Sequence, residues 1–417
     1  MSNFSKMDQT IRSAVAKKFT ILKKTPLPKV DKSNSVFEGF SIPPHPSCFE
    51  TMDRILLASD FLMTKESEQD SNLRWLSDLY AIAIEQGAGA PVAIASKYFN
   101  LGWGFDRAQF FELSGIVCDP LDTHFYFDPS QLSQEAITYF RSFVPKSTLV
   151  IGYELSINTR AFLDLVGIRY IDVWLGPIRF LDDLTFAFYS NDPSINTALD
   201  RLTVTDSYVR AQAAVLKVQS YRGFSKKQHY IRDNSALFAG QMLADKALLL
   251  NGRMLSLLDF KQEFESITKQ YSTVYYARHP FLKDGDEEIL AFVKSFRNVQ
   301  VSSETGYMVL CDENLKAVYG ITSSLVVEAS YFVAKTCYLS KPMYEISKDA
   351  ERKYRLVMQQ PMFSEFWNSL LSGGECAISC LELGKDKLRD ALSFYWSYRQ
   401  IDKLEFVRAI ASKHRKC

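Results

Sequence analysis

Apolar positions between residues 49 and 140 recur at helical spacing, with a dense run over 76–84 and a glycine break at Gly87-Ala88-Gly89, so this stretch is predicted to be mainly helical. The period then changes. Residues 147–152 and 168–173 are short β-branched runs ended by glycine or polar residues, and a helical segment over 159–166 separates them. Strand, helix and strand in that order are the signature of a parallel sheet. A helical pattern over 192–219 leads into the basic stretch 221–230, read as the connection between two domains. Beyond it the alternation restarts, with strands predicted at 235–240, 272–277, 316–320 and 335–339 and helices at 257–269, 287–296 and 324–332. The fold class is therefore α/β, as two Rossmann-like, doubly wound domains facing across a cleft. A basic arm over 1–40 precedes a first domain over 41–220 and a second over 221–390, and a C-terminal helix and basic tail fill 391–417.

Length agrees with that division, because 417 residues exceed the ~250–300 at which one core stops growing. With 49 Lys and Arg against 48 Asp and Glu the net charge is +1, so no global field draws the chain to nucleic acid. The seven cysteines are scattered and read as buried free thiols of a reducing compartment; Cys376 and Cys380 lack the paired Cys or His that zinc requires. No run approaches the ~20 apolar residues of a membrane span, and the Lys-rich start has no signal-peptide core, so a cytoplasmic protein is expected. Ile11, Val15, Phe19 and Ile21 interleave with Arg12, Lys17, Lys18, Lys23 and Lys24. That pattern suits a solvated arm or a peripheral contact with the inner face of a membrane.

Two constellations suggest chemistry. In Tyr276-Ala277-Arg278-His279-Pro280 an apolar strand ends in a cation, an imidazole and a proline, and ligands of open parallel sheets bind at the carboxyl ends of strands. An anion such as a nucleotide phosphate fits there. In Gly320-Ile321-Thr322-Ser323-Ser324 a strand turns into hydroxyl residues at a helix start, whose amides can cradle phosphate, and Glu328 about one turn on could meet ribose hydroxyls. Asp182-Asp183 and Asp284-Gly285-Asp286 are better read as acids at turns and helix starts than as metal ligands. No metal and no cofactor are expected. Tyr275, Tyr276 and Tyr307 could stack on a base or sugar, with core packing the commoner use.

The pairs His279-Pro280 and Ser323-Ser324 resemble the motifs of bacterial GT-B glycosyltransferases that use CMP-sugars, in which the histidine and serines bind the CMP phosphate. The acidic pair plus glycine that serves as base motif in bacterial sialyltransferases has no convincing match in the first domain. Over roughly residues 145–345, Gly152-Tyr153-Glu154, Gly167-Ile-Arg-Tyr-Ile-Asp172, Gly176-Pro-Ile-Arg179-Phe-Leu-Asp182-Asp183 and Ala239-Gly240-Gln241 resemble the retaining β-Kdo glycosyltransferases (family 99) of bacterial lipopolysaccharide, O-antigen and capsule assembly. The resemblance implies a GT-B fold with the acceptor on the first domain and CMP-Kdo on the second, and a lipid-linked or oligosaccharide acceptor. It implies CMP binding by Arg278, His279, Pro280, Thr322, Ser323, Ser324, Glu328, Gly240 and Gln241, and contact with the sugar carboxylate or acceptor by Arg179, Asp182, Asp183 and Arg232. Retention by double displacement needs a carboxylate nucleophile and a second group for the acceptor proton. Asp233, favoured over Asp245, and Glu154 are assigned those jobs. An inverting CMP-sialic acid transferase and a non-catalytic nucleotide-sugar-binding module, suggested by the ragged basic end Lys413-His-Arg-Lys-Cys417, are the competing readings.

Overall fold

Residues 54–59, Arg-Ile-Leu-Leu-Ala-Ser, send Ile55 and Leu57 into one apolar cluster and Leu56 and Ala58 into another, so this strand is buried on both faces. Such a run is continuous rather than alternating, and it belongs to the middle of a covered parallel sheet. The computed structural model describes residues 52–396 except 65, 98–99, 101, 119–124, 225–228, 303–305, 347–349, 351 and 373–381. The basic arm, Cys48, Cys376, Cys380, Cys417 and the tail beyond 396 lie outside the described residues.

The first half comprises β1 (Arg54–Ser59), α1 (Glu66–Ala88), β2 (Val92–Ile94), α2 (Arg107–Glu112), α3 (Gln134–Phe143), β3 (Thr148–Tyr153), α4 (Ile157–Leu165), β4 (Arg169–Leu175), β5 (Phe186–Ser190), α5 (Pro193–Leu202) and α6 (Asp206–Phe224). The second half comprises β6 (Ser235–Ala239), the small ribbon β7 (Leu249–Leu250) and β8 (Arg253–Met254), α7 (Lys261–Gln270), β9 (Thr273–Ala277), α8 (Glu287–Lys294), β10 (Val299–Val301), α9 (Gly306–Leu310), β11 (Leu315–Gly320), α10 (Ser324–Ala329) and β12 (Lys335–Tyr338). After it come β13 (Arg355–Val357), α11 (Ser364–Ser372) and α12 (Lys387–Trp396).

The second sheet has the order β10-β9-β6-β11-β12 with every pair parallel, a doubly wound sheet whose order reverses between β6 and β11. Helices cover both faces. Phe238, Val274 and Tyr276 pack with Phe264 and Ile267 of α7 on one side, and Leu237, Tyr275 and Val318 pack with α9, α10 and α6 on the other. The first sheet has the order β13-β5-β4-β3-β1-β2, parallel from β4 to β2, with β5 and β13 antiparallel at the edge. Its order reverses between β1 and β3. The α/β class and the two doubly wound sheets expected from the sequence are thus present.

Several boundaries need correction. The stretch 49–140 contains β1 and β2 as well as helices, and the helical run 192–219 is two helices, α5 and α6, separated at 203–205. Residues 352–396, expected largely in the second domain, return to the first. There β13 extends the first sheet beside β5, and Phe366, Trp367, Leu370 and Leu371 of α11 join the apolar cluster of α1. Trp367 is fully buried, and its indole N–H donates to the Pro361 carbonyl at 2.7 Å. Among the described residues Cys118 and Cys311 are partly buried, and Cys337 is exposed rather than buried. No helix among the described residues is long and apolar enough to cross a membrane.

Candidate functional site

The carboxyl ends of β9, β6 and β11 finish level, because Ala277, Ala239 and Gly320 are in register across the three strands. Each strand runs on into a motif that stands out in the sequence: Arg278-His279, Gly240-Gln241 and Thr322-Ser323-Ser324. Gly240 is required by proximity. Its N–H donates to the Ala277 carbonyl at 2.8 Å, and a β-carbon there would stand 2.8 Å from that same oxygen. Gln241 then bridges the switch point: its Oε1 accepts the Thr322 backbone N–H at 2.9 Å, and its Nε2 donates to the Thr322 hydroxyl at 3.0 Å. Ser323 caps α10, accepting the Leu325 N–H.

His279 is half-buried beside them, and its Nδ1 accepts the Phe281 backbone N–H at 3.3 Å. With Nδ1 an acceptor, the neutral ring carries its proton on Nε2 and can donate outward. Burial holds the imidazole pKa below its ordinary value, against a counteracting pull from Asp245 and with Arg179 adding to the depression. Asp245, half-buried on the loop after Gln241, is therefore within electrostatic reach of His279, as is Arg179 from the first half.

The first sheet presents its own switch point. Asp60 follows β1 and Glu154 follows β3. Glu154 adopts left-handed backbone geometry (φ 53°), uncommon for a residue with a side chain, and donates its N–H to the Val173 carbonyl at 2.8 Å. Burial raises its pKa, Lys246 offsets part of that, and Asp245 and Asp172 push it further up. Behind it Asp172 is fully buried. One of its oxygens accepts the Leu155 N–H, and the other accepts Arg160, the Trp174 indole and the Tyr354 hydroxyl.

Lys246 crosses between the halves. Its Nζ lies 2.6 Å from Asp60 Oδ2 and 2.5 Å from the Glu154 carbonyl oxygen, and 5.8 Å from the Trp174 ring centre. Asp60 also accepts the Ser156 N–H at 3.1 Å and the Thr159 hydroxyl at 2.5 Å. Burial would raise the Asp60 pKa, but Lys246 and these donors hold it below the usual carboxylate range. Local sequence gives no signal for a pair so far apart, so neither Asp60 nor Lys246 is among the residues the sequence points to, and Asp245 ranks there only behind Asp233.

Other expected residues stand elsewhere. Asp233 and Arg232 precede β6, at its amino end, seven or more residues from the crevice or about 20 Å at ~3.3 Å per residue. Both are exposed, and among the described residues the Asp233 carboxylate accepts only its neighbour's N–H, from Asn234 at 2.8 Å. Asp233 is a turn residue, which corrects its assignment as nucleophile. Arg278 is held by a bidentate pair with buried Asp286, at 2.8 and 2.6 Å, so both are occupied with each other. Glu328 is buried, and its Oε1 accepts the Arg179 backbone N–H at 2.7 Å and the Tyr307 hydroxyl at 2.8 Å, tying the two halves rather than facing a ribose. Asp183 accepts the Leu388 and Arg389 N–H groups at the start of α12, and Asp182 accepts Tyr208 and Gln212 and pairs with Lys385. Asp183 is buried, while the Asp182 side chain remains partly exposed. Tyr275, Tyr276 and Tyr307 are buried in the core, and Pro280 is exposed beside His279.

No family model matches the chain, and no curated protein matches it in sequence. Among solved structures it is similar to the Thermosulfurimonas dismutans KpsC β-Kdo 2,7 transferase, at 13% identity over 66% of this chain and 90% of that one, with a TM-score of 0.33. The β-Kdo 2,4 transferase of the same KpsC is similar at 12% identity over 76% and 90%, with a TM-score of 0.34. At such TM-scores the likeness does not carry the fold, which rests on the strand orders above.

Proposed function

We propose that this chain is a glycosyltransferase that takes Kdo from CMP-β-Kdo and passes it, with retention, to a lipid-linked or oligosaccharide acceptor in bacterial surface polysaccharide synthesis. The observation supporting it is the convergence of His279, Gly240-Gln241 and Thr322-Ser323-Ser324 on one switch point, opposite a half-buried carboxylate of the other sheet. An imidazole Nε2–H and hydroxyl and amide donors suit a phosphate carrying one charge, so the reaction needs no divalent ion. Arg179 supplies a cation for the sugar carboxylate. The acceptor would enter from the first half.

Asp245 takes the role that the sequence suggested for Asp233, because it is on the loop after Gln241 and within electrostatic reach of both His279 and Glu154. One Asp245 oxygen attacks the anomeric carbon of Kdo, and the bond to the phosphate oxygen breaks with CMP leaving as the anion. The acceptor hydroxyl oxygen then attacks the same carbon, the ester bond to Asp245 breaks, and the hydroxyl proton passes to the Glu154 carboxylate. A carboxyl raised toward neutrality can both take and return that proton.

The test is intact-protein mass spectrometry after exposure to CMP-Kdo, with peptide mapping and determination of the product's anomeric configuration. An added Kdo on Asp245 is expected, lost in Asp245→Asn together with several powers of ten in turnover, while Asp233→Asn stays within about threefold of wild type. Inversion of the anomeric centre would remove the double displacement and favour a mechanism like that of an inverting CMP-sialic acid transferase. CMP binding with neither transfer nor donor hydrolysis would favour a non-catalytic module.

A further inference from the structure

The Lys246 ammonium is inside the protein, with its side chain 9% exposed, and it joins three pieces of chain that are far apart in sequence. It follows Asp245 directly on the second-half loop, it pairs with Asp60 after β1, and it takes the carbonyl of Glu154 after β3. Among the described residues Lys246 donates to the carbonyl of this left-handed residue. Such a backbone conformation is strained for a residue with a side chain and persists only where its surroundings over-determine it. The Val173 carbonyl on one side of the residue and Lys246 on the other do so. We propose that Lys246 is a positioning residue that locks Glu154 in its left-handed turn, so that the Glu154 carboxylate faces Asp245 across the two halves. The inference deepens the proposed function, since it takes Glu154 as the group that handles the acceptor proton.

The same contact makes the arrangement conditional on the approach of the halves. Asp60 and Glu154 belong to the first sheet, and Asp245 and Lys246 to the second-half loop, so the lysine reaches its partners only when nucleophile and acid–base group are also opposed. The charged and titratable groups acting on Glu154 are Lys246, Asp245, Asp172, Tyr153 and Tyr344, and Lys246 is the cation among them, with Arg179 beyond Tyr344. Removing Lys246 withdraws the cation that offsets the Asp245 and Asp172 carboxylates at Glu154.

The experiment reads the carboxyl group directly, without donor. Protein labelled with ¹³C at glutamate carboxyls is titrated by NMR, the Glu154 signal being identified by its loss in Glu154→Gln. Lys246→Met is expected to raise the Glu154 midpoint by about one pH unit or more, because the cation that pulls it down has been withdrawn. Lys246→Arg should bring it most of the way back. If the methionine variant does not fold, Lys246→Gln, which is uncharged and too short to span both oxygens, takes its place, and the same rise is expected. A midpoint within about 0.2 unit of wild type in the folded uncharged variant overturns the proposal. Calorimetry with CMP separates this from the function itself. Failure of wild type to bind CMP would strike the donor reading while the titration still decides the lysine's role, and unchanged CMP affinity in the variants is expected because the Gln241–Thr322 bridge is untouched.

Discussion

At the scale of single residues, the two switch points are chemically unlike. The second-half crevice offers neutral donors: a His279 ring kept neutral by burial, the Thr322 and Ser324 hydroxyls and backbone amides. Charge-assisted hydrogen bonds to phosphate contribute ~1.5–3 kcal/mol each, so His279→Ala, and separately Ser323→Ala with Ser324→Ala, should weaken CMP binding roughly tenfold or more. Calorimetry on folded protein checks this, and undiminished affinity in both would move the nucleotide elsewhere. The first-half switch point is ionic, with Asp60, Asp172 and Lys246 buried behind a half-buried Glu154. Asp60 has a folded pKa below its unfolded value, so its contribution to stability is present above about pH 4 and is lost as the pH falls through the folded pKa. Asp60→Asn should therefore be less stable than wild type at pH 7 and approach it on acidification. Melting curves from pH 7 down to about pH 2.5 that stay parallel would contradict the pairing.

At the scale of elements, the second sheet was legible because β6, β9, β11 and β12 are short apolar or β-branched runs separated by amphipathic helices, and the residues after three of them named the crevice. The first sheet was harder. The β1 run is apolar on both faces and shows no alternation, β2 has three residues, and β13 is far from its partner β5 in sequence. Asp233 was misplaced for a physical reason: proximity to a strand does not say which end, and only the carboxyl end of a parallel strand meets the crevice. The Lys246–Asp60 pair joins loops 186 residues apart and has no local pattern at all. The return of α11 onto α1 gives an element-scale expectation. Trp367→Ala removes a fully buried ring from the contact and should cost about 3–5 kcal/mol, read from urea unfolding, while CMP affinity of the folded protein is unchanged. A loss under about 1 kcal/mol would mean that the contact is not formed in solution.

At the scale of the whole molecule, metal independence is part of the proposed function, and the acidic run weighed as a metal motif has Asp286 bound to Arg278. Transfer in EDTA is expected to proceed within about twofold of its rate in Mg²⁺, and abolition by EDTA with recovery in Mg²⁺ or Mn²⁺ would overturn that. The most consequential global feature is the route of the chain. Strand β13 and helices α11 and α12 complete the first half only after the whole second half has been spelled out. On the ribosome, the order of synthesis and the order of assembly therefore diverge. Domains fold as units while the chain emerges at ~5–20 residues per second, so residues 229–346 can close their own sheet while β5 still shows an open edge and α1 a bare apolar face. The earlier-made half is the later to finish, and during that interval its exposed strand edge is where a nascent chain of this protein is most open to chaperones and to mispairing.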